Sequence, residues 1–345
     1  MKKVIKTVII LLLVFLCLTT VLWFIPERTP RIKSSNSSSL ALLEYIKLGG
    51  VDQCVLTRTE NTAHPIMLFL HGGPGMPMMF LAGKFQGALE KDFTVVQWDR
   101  RGAGKSYTKQ IPPAESMVDR QVVNDAYQLI DTLRQRFGKE KIILVGHSWG
   151  TYLGSIMVTE HPELFSLFIS IGQVVDDKKC RIIQRDFIEK QASKYHRTDI
   201  LESLAKSPGT NMENWLFEFG GELKNSTTFM PFVWSGLLSP EYTLKDVLNV
   251  AKGSNFNQKH MKETILDRSI YFKIREYRLP VYFFVGANDY TTPTELIEEY
   301  YQLISAPEKK MVRFENSAHF PFFEEPAKFC NEVKQICLKN SNTTK

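Results

Sequence analysis

Short, largely apolar runs alternate along this chain with longer amphipathic stretches. Strands that are apolar throughout and separated by helices are typical of a mostly parallel sheet covered by helices on both faces. We therefore predict an α/β fold with such a central sheet. The apolar runs lie at residues 66–70, 93–98, 142–145, 167–171 and 281–285, and helical patterns lie at 119–137, 152–160 and 326–338.

The alternation stops near residue 175 and resumes near residue 278. The sequence between these points is charged, rich in aromatic residues and poor in strand-like runs. We interpret residues 176–275 as a helical cap inserted into a core formed by residues 49–175 and 276–345.

The pentapeptide GHSWG at residues 146–150 matches the pattern G-x-S-x-G. It follows a predicted strand and opens a predicted helix, which is the context of a nucleophile elbow. In such a turn the flanking glycines allow a tight bend that presents the serine hydroxyl above the sheet. We therefore predict that Ser148 is a catalytic nucleophile.

A serine nucleophile needs a base, and the base needs a carboxylate that orients it. In the elbow arrangement these groups follow the serine in the order acid and then histidine. Only His319 lies beyond the last predicted strands, and Asp289 lies in the turn that follows the strand at 281–285. We predict a triad of Ser148, Asp289 and His319.

Hydrolysis through a tetrahedral intermediate also needs donors for the oxyanion, and fixed backbone amides serve best. The residue after the nucleophile, Trp149, would supply one of them. The glycine-rich turn HGGPG at residues 71–75 follows an early strand, and we predict that Gly73 supplies the other donor, with Gly75 as the alternative.

Residues 7–25, TVIILLLVFLCLTTVLWFI, form a run of 19 residues without a charge. As a helix this run would be about 28 Å long, close to the hydrocarbon thickness of a bilayer. No pair of small residues follows it to mark a cleavage site, so we predict an uncleaved membrane anchor or signal within residues 1–26. Lys2, Lys3 and Lys6 favour a catalytic domain on the extracytoplasmic side. The polar tract at 33–40 suggests a flexible linker, which we extend over residues 27–48.

Charge and motif content exclude several other classes of function. The net charge is +6, but residues 1–33 carry +5 of it, so the basic balance does not indicate a nucleic-acid partner. The block WDRRGAGKS at 98–106 is not a phosphate-binding loop, because Asp99 stands where that motif needs its first glycine. No CxxC occurs, and we expect neither a metal nor another cofactor. The oligomeric state stays open.

The three blocks HGGPG, WDRRGAGKS and GHSWGT resemble those of the α/β-hydrolase superfamily, and specifically of the proline iminopeptidase group. The resemblance covers roughly residues 49–338, and it implies the triad and the oxyanion donors named above. His147 and Arg100 depart from that group, which more often has Gly and Gln at these positions. The turn GANDYTTP also departs from the group's usual acid turn, and these differences leave the substrate open.

The resemblance further implies that acidic residues of the cap bind the free amine of a peptide, and Glu213, Glu218 and Glu222 are the candidates. We expect an aminopeptidase that releases N-terminal proline or small residues from peptides. A carboxylesterase with the same triad is an alternative, because the cap decides the substrate. A second alternative is an inactive, membrane-tethered binding protein that has kept the fold.

Overall fold

The computed structural model describes residues 5–7, 9–10, 27–34, 36–207, 211–265 and 269–343. Almost all of the predicted anchor at residues 7–25 lies outside these residues. Within the described ranges, no helix combines the length and the apolar character that crossing a bilayer requires.

The described part of the chain forms an eight-stranded sheet with helices on both faces, as the apolar runs predict. The strands follow one another across the sheet in the order β1-β2-β4-β3-β5-β6-β7-β8. Strand β2 is antiparallel to both β1 and β4, and the pairs from β3 onwards are parallel. The strands are β1 Leu40–Leu48, β2 Val51–Thr59, β3 Ile66–Leu70, β4 Thr94–Asp99, β5 Ile142–His147, β6 Phe165–Ile171, β7 Val281–Gly286 and β8 Lys309–Phe314.

Helices that precede β6 and helices that follow β7 cover the sheet, and a separate group of helices lies between these two strands. The helices α1 to α4 and α10 to α12 belong to the sheet layers, whereas α5 to α9 lie between β6 and β7 in the segment predicted to be a cap. The helices are α1 Ala82–Leu89, α2 Gly104–Lys109, α3 Asp119–Phe137, α4 Trp149–Glu160, α5 Asp177–Lys194, α6 Thr198–Lys206, α7 Met212–Glu218, α8 Met230–Leu238, α9 Leu244–His260, α10 Thr294–Leu303, α11 Pro321–Glu324 and α12 Pro326–Thr343.

The central strands are largely apolar because each face packs on a different layer of helices. In β3, Leu68 packs in one cluster with residues of α3 and α4, and its neighbour Met67 packs in the other cluster with residues of α1 and α12. Successive side chains of a strand point to opposite faces, so a strand covered on both sides leaves few positions for a polar residue. This explains why these strands were predictable.

The prediction of a linker over residues 27–48 is wrong for residues 40–48. Residues 40–48 form β1, which pairs with β2 through a hairpin turn at Gly49 and Gly50. Both glycines have positive φ angles, which a two-residue hairpin turn of this kind requires. Residues 27–30 are also bonded to the domain, because the Arg28 N–H donates to the Pro240 carbonyl and the Arg58 guanidinium donates to the Pro30 carbonyl.

Candidate active site

Ser148 lies at the sharp turn between β5 and α4, at the carboxyl edge of the sheet. Its φ of 52° and ψ of −124° are a strained combination for a residue with a side chain. The two glycines of the pentapeptide make the turn sterically possible. A Cβ on Gly146 would lie 2.7 Å from the Gly150 carbonyl oxygen, and one on Gly150 would lie 2.1 Å from the Leu70 carbonyl oxygen. Ser148 is therefore held in a backbone conformation that residues with a side chain rarely adopt.

Asp289 and His319 form a buried pair in the loops that follow β7 and β8. The carboxylate Oδ2 lies 2.8 Å from His319 Nδ1. Asp289 Oδ1 accepts the backbone N–H groups of Thr291 and Thr292, each at 2.9 Å, and Oδ2 accepts the Thr292 hydroxyl at 3.0 Å. These donors fix the carboxylate, which in turn fixes the plane of the imidazole ring.

The surroundings of His319 favour its protonated form. Burial on its own would lower the pKa of His319, but the charge of Asp289 and the hydrogen bond to it outweigh burial, with a smaller contribution from Glu222. The pKa of His319 therefore lies above its ordinary value of 6.5. The neighbouring His147 behaves in the opposite way, because burial and the nearby His319 lower its pKa well below the ordinary value.

His147, the residue before the serine, supports the loop that carries His319. Its Nε2 lies 2.9 Å from the His319 carbonyl oxygen, and its ring centre lies 4.7 Å from that of Phe320. Since His147 stays neutral, it adds a hydrogen bond and ring packing without adding a second positive charge beside His319.

A cavity of about 730 Å³ lies between the sheet edge and the cap, and most of the predicted site residues line it, whereas Asp289 and Glu218 do not. Ser148 and His319 both line it, although the two side chains do not hydrogen-bond to each other within the described part of the chain. Catalytic hydrogen bonds are often longer in an empty site than in a complex. Much of the remaining wall is apolar and comes from both core and cap, including Met76, Phe80, Val175, Leu216, Phe232 and Leu296.

Gly73 and Trp149 lie on the core side of this cavity. Gly73 has a φ of 111°, and a Cβ there would lie 2.1 Å from the Gly75 nitrogen, so only glycine fits this tight turn. Trp149 is the first residue of α4, where backbone N–H groups have no partner within their own helix. Its indole Nε1 donates to Glu263 at 2.9 Å, which ties the start of α4 to the segment that follows α9.

The three candidate glutamates of the cap occupy different positions relative to the cavity. Glu222 is buried in the cavity wall, its carboxylate accepts the Thr291 hydroxyl, and its backbone carbonyl accepts the His319 N–H at 3.0 Å. Burial raises the pKa of Glu222 to about 7. Glu213 is exposed but also lines the cavity. Glu218 does not line it and instead pairs with Arg197.

Arg100 is a buried residue at this site whose position the sequence did not reveal. Its Nη2 donates to the carbonyl oxygens of His71, Gly72 and Pro74 at 2.7, 3.0 and 3.1 Å. Its guanidinium carbon lies 4.5 Å from the centre of the Trp149 ring. One side chain therefore contacts both segments that were predicted to supply oxyanion donors. Burial lowers the pKa of Arg100 to about 9, so the group is still charged at neutral pH.

Comparison with known proteins is consistent with this geometry. The family model described as "alpha/beta hydrolase fold" matches residues 65–326. The Bacillus subtilis (strain 168) protein named "Probable aminopeptidase YbaC" is 30% identical over 311 residues, which is 87% of this chain and 97% of that protein. A proline iminopeptidase of Heyndrickxia coagulans is 26% identical over 283 residues, covering 78% of this chain and 89% of its own.

A solved structure shows the same fold at lower sequence identity. The proline iminopeptidase of Mycobacterium smegmatis superposes with a TM-score of 0.64 at 19% identity, covering 88% of this chain and all of that chain. The matched region contains the elbow, the pair Asp289–His319 and the cap between them. The chain belongs to the α/β-hydrolase family, and its resemblance to the proline iminopeptidases is confirmed by these relatives.

Proposed function

We propose that this chain is a serine aminopeptidase that releases N-terminal proline or another small residue from peptides. The observation that carries the proposal is a carboxylate, Glu222, buried in the cavity wall that Ser148 and His319 share. A substrate that brings its own positive charge would compensate a buried carboxylate, and a peptide's free α-amine is such a charge. The names of the relatives from Bacillus subtilis and Heyndrickxia coagulans agree with this substrate class.

The proposed reaction begins when His319 takes the proton of Ser148 as the hydroxyl oxygen attacks the scissile carbonyl. Asp289 holds the imidazole in the required tautomer and stabilises its positive charge. The backbone N–H groups of Gly73 and Trp149 receive the oxyanion. His319 then gives its proton to the leaving amine. In the second half of the reaction His319 takes a proton from the water that attacks the acyl-enzyme, and it returns this proton to the Ser148 oxygen as the released residue leaves. Enclosure between cap and core limits the access of other water molecules.

The amine-binding role of Glu222 predicts a selective effect of Glu222→Gln. We expect kcat/KM for prolyl and alanyl arylamides to fall roughly 10- to 100-fold, because a charge-assisted hydrogen bond to the ammonium group is lost. Hydrolysis of short-chain aryl esters, which carry no amine, should change only a few-fold. Because Glu222 also influences the pKa of His319, the rates are compared on the alkaline plateau of each pH profile.

Glu218→Gln is the matched control for this experiment. The substitution makes the same chemical change in the same segment, but Glu218 lies outside the cavity and pairs with Arg197. Its kinetics should therefore match those of the unaltered enzyme. An equal loss on arylamides and esters in Glu222→Gln would contradict an amine site at Glu222, since it would point to a general distortion of the cavity.

A carboxylesterase of the same fold is the alternative function, and the aromatic lining of the cavity favours it. Large aromatic side chains, including those of Phe80, Phe229 and Phe232, line the cavity and would accept an apolar acyl group. Ester cleavage without any cleavage of arylamides would favour this function and leave Glu222 as a structural group.

Arg100 is proposed as a positioning residue for the oxyanion donors. Arg100→Met would remove all three hydrogen bonds to the loop at residues 71–74, together with the cation–π contact with the Trp149 ring. We expect kcat to fall roughly 10- to 100-fold with little change in KM, because the donors act mainly in the transition state. A purely structural role would instead lower thermal stability and leave kcat of the folded fraction unchanged. Steady-state kinetics and thermal unfolding measured on one preparation separate these results.

Attachment to a membrane through residues 7–25 is part of the proposed function. It rests on the 19 uncharged residues of this run and on Lys2, Lys3 and Lys6 before it, which also favour an extracytoplasmic catalytic domain. Flotation of the full chain with phospholipid vesicles tests the attachment, and recovery of the protein at the bottom of the gradient would contradict it.

A further inference from the structure

Helix α8 of the cap exposes an apolar face to the surroundings. Residues 230, 233, 234 and 237 are three or four positions apart and so lie on one side of the helix. Trp234 is 58% exposed and Leu238 is 75% exposed, whereas Phe232 on the opposite side is buried against Phe320. A contiguous exposed apolar patch of this kind marks an interaction site more often than it marks ordinary surface. We call Phe229, Met230, Val233, Trp234, Leu237 and Leu238 the α8 face.

The chain that follows the apolar N-terminal run is bonded to the cap beside this face, from residue 28 onwards. The Arg28 N–H donates to the Pro240 carbonyl at 3.1 Å, two residues beyond the end of α8. The Thr29 hydroxyl donates to the Glu241 carboxylate at 3.2 Å, and Glu27 pairs with the buried Lys105. The chain is thus fixed to the cap three residues after Ile25. Three residues span at most about 11 Å, so a bilayer that holds residues 7–25 must pass close to Pro240.

The charges of the same segment suit an anionic lipid surface. Arg28, Arg31 and Lys33 are all exposed, and they lie within six residues of the fixed contact at the cap. Basic residues next to an anionic membrane surface are attracted to it, and the attraction falls off within a Debye length. A tryptophan such as Trp234 is also enriched at membrane interfaces, where its ring is partly apolar and its N–H reaches water.

The N-terminal run itself is a poorer partner for the α8 face than a bilayer is. A helix of 19 residues would be about 28 Å long and apolar on every side, whereas α8 has nine residues and a length of about 14 Å. Packing the run along α8 would leave most of its apolar surface in water. A bilayer covers both the run and the α8 face.

We propose that the α8 face lies on the surface of a phospholipid bilayer, and this inference rests on the proposed attachment through residues 7–25. Phe232 and Gly236 on the other side of α8 line the cavity, and Phe229 and Val233 lie at the border between the cavity and the α8 face, so only α8 lies between the cavity and the lipid. The site would then receive substrates whose apolar part is already held in the membrane, such as lipid-linked or amphipathic peptides. The cap would serve as both the specificity element and the membrane contact.

Tryptophan quenching by brominated phospholipids in vesicles tests the contact in the full chain. The background variant Trp23→Phe removes the tryptophan of the apolar run, and Trp98, Trp149 and Trp215 are buried. We expect emission to fall in brominated relative to ordinary vesicles, and Trp234→Phe to abolish that loss. Trp234→Phe keeps an apolar ring at an exposed position, so its arylamide hydrolysis should be unchanged and reports that it has folded.

A matched control moves the exposed tryptophan to the other side of the molecule. Leu303→Trp, made in the chain that lacks Trp23 and Trp234, places the indole at the end of α10 near the start of β8, at the sheet edge opposite the cavity. This tryptophan should not be quenched. Quenching at position 303 equal to that at position 234 would overturn the inference, because it would show adsorption without orientation.

The outcomes separate the inference from the attachment on which it rests. Flotation with the vesicles together with quenching of Trp234 supports both. Flotation without quenching of Trp234 overturns the inference and leaves the attachment in place, whether the α8 face is then covered by the N-terminal run or by a second copy of the chain. Failure to float overturns both, and the peptidase proposal is judged separately by the arylamide assays.

Discussion

Ser148→Ala should lower kcat for arylamides and for esters by roughly four to six orders of magnitude. The substitution removes the attacking oxygen and leaves the Cβ, so the strained backbone at φ 52° is unchanged and the fold should be retained. What remains would come from substrate binding and oxyanion stabilisation alone. Single-turnover and steady-state assays of the purified variant measure the loss, and thermal unfolding checks that stability is preserved.

Ser254→Ala is the matched control for the nucleophile. Ser254 lies on α9 and lines the same cavity, so its substitution removes a hydroxyl from the same space. Its activity should stay within a few-fold of the unaltered enzyme. Near-normal activity of Ser148→Ala, in a preparation free of contaminating hydrolase, would remove Ser148 from the mechanism.

A serine-directed phosphonate distinguishes the enzyme from an inactive binding protein with the same fold. An activated serine forms a covalent phosphonyl adduct, whereas an unactivated hydroxyl does not react at a comparable rate. Mass spectrometry of the intact protein should show one adduct, absent in Ser148→Ala and retained in Ser254→Ala. A chain that folds but takes up no adduct would favour the binding-protein alternative.

The sheet was largely predictable because its central strands obey a strict physical rule. Strands buried on both faces, such as Ile66–Leu70, admit almost only apolar residues, so composition alone marks them. The hairpin of β1 and β2 was missed because its strands carry polar and charged residues such as Glu44 and Arg58, and because the serine-rich tract before it suggested a linker. The pair Gly49–Gly50 between two strand-like runs was the available signal.

The candidate site was predictable only where the order along the chain carries information. Ser148, Asp289 and His319 each follow a strand of a parallel sheet, and such strands end at the same edge, so chain order predicts that the three meet. Glu213, Glu218 and Glu222 have no comparable signal. Which of them faces the cavity depends on how the cap folds back onto the Asp289 loop, and spacing along the sequence does not encode this.

Arg100 illustrates the same limit for a charged group. An arginine is expected at the protein surface, since burying its charge without a paired carboxylate is costly. Here three backbone carbonyls accept from Nη2 and an aromatic ring packs on the guanidinium, while Nη1 has no hydrogen-bond partner among the described residues. Those partners are brought together only by the tertiary fold, so local sequence pattern could indicate the block at 98–106 but not the role of its second residue.

Asp289→Asn should produce the second-largest effect, a loss of about four orders of magnitude in kcat. It should also shift the acid limb of the pH–activity profile, the range in which activity falls as pH is lowered. His319 must be neutral to accept the proton of Ser148, so activity is present above its pKa and is lost as pH falls through it. In the unaltered enzyme that pKa lies above 6.5, because the charge of Asp289 and the hydrogen bond to it outweigh the effect of burial. Removing the charge should lower the pKa and move the acid limb to lower pH.

Asp177→Asn is the control that separates a specific partner from a general loss of negative charge. Asp177 also lines the cavity, but its carboxylate pairs with Arg181 at 3.0 Å rather than with His319. Its kcat should change only a few-fold and its acid limb should not move. The measurement is the pH dependence of kcat/KM for one arylamide in all three enzymes. An acid limb in Asp289→Asn that coincides with that of the unaltered enzyme would show that the limb reports a group other than His319, such as Glu222 with its pKa of about 7, and the predicted shift would then be wrong.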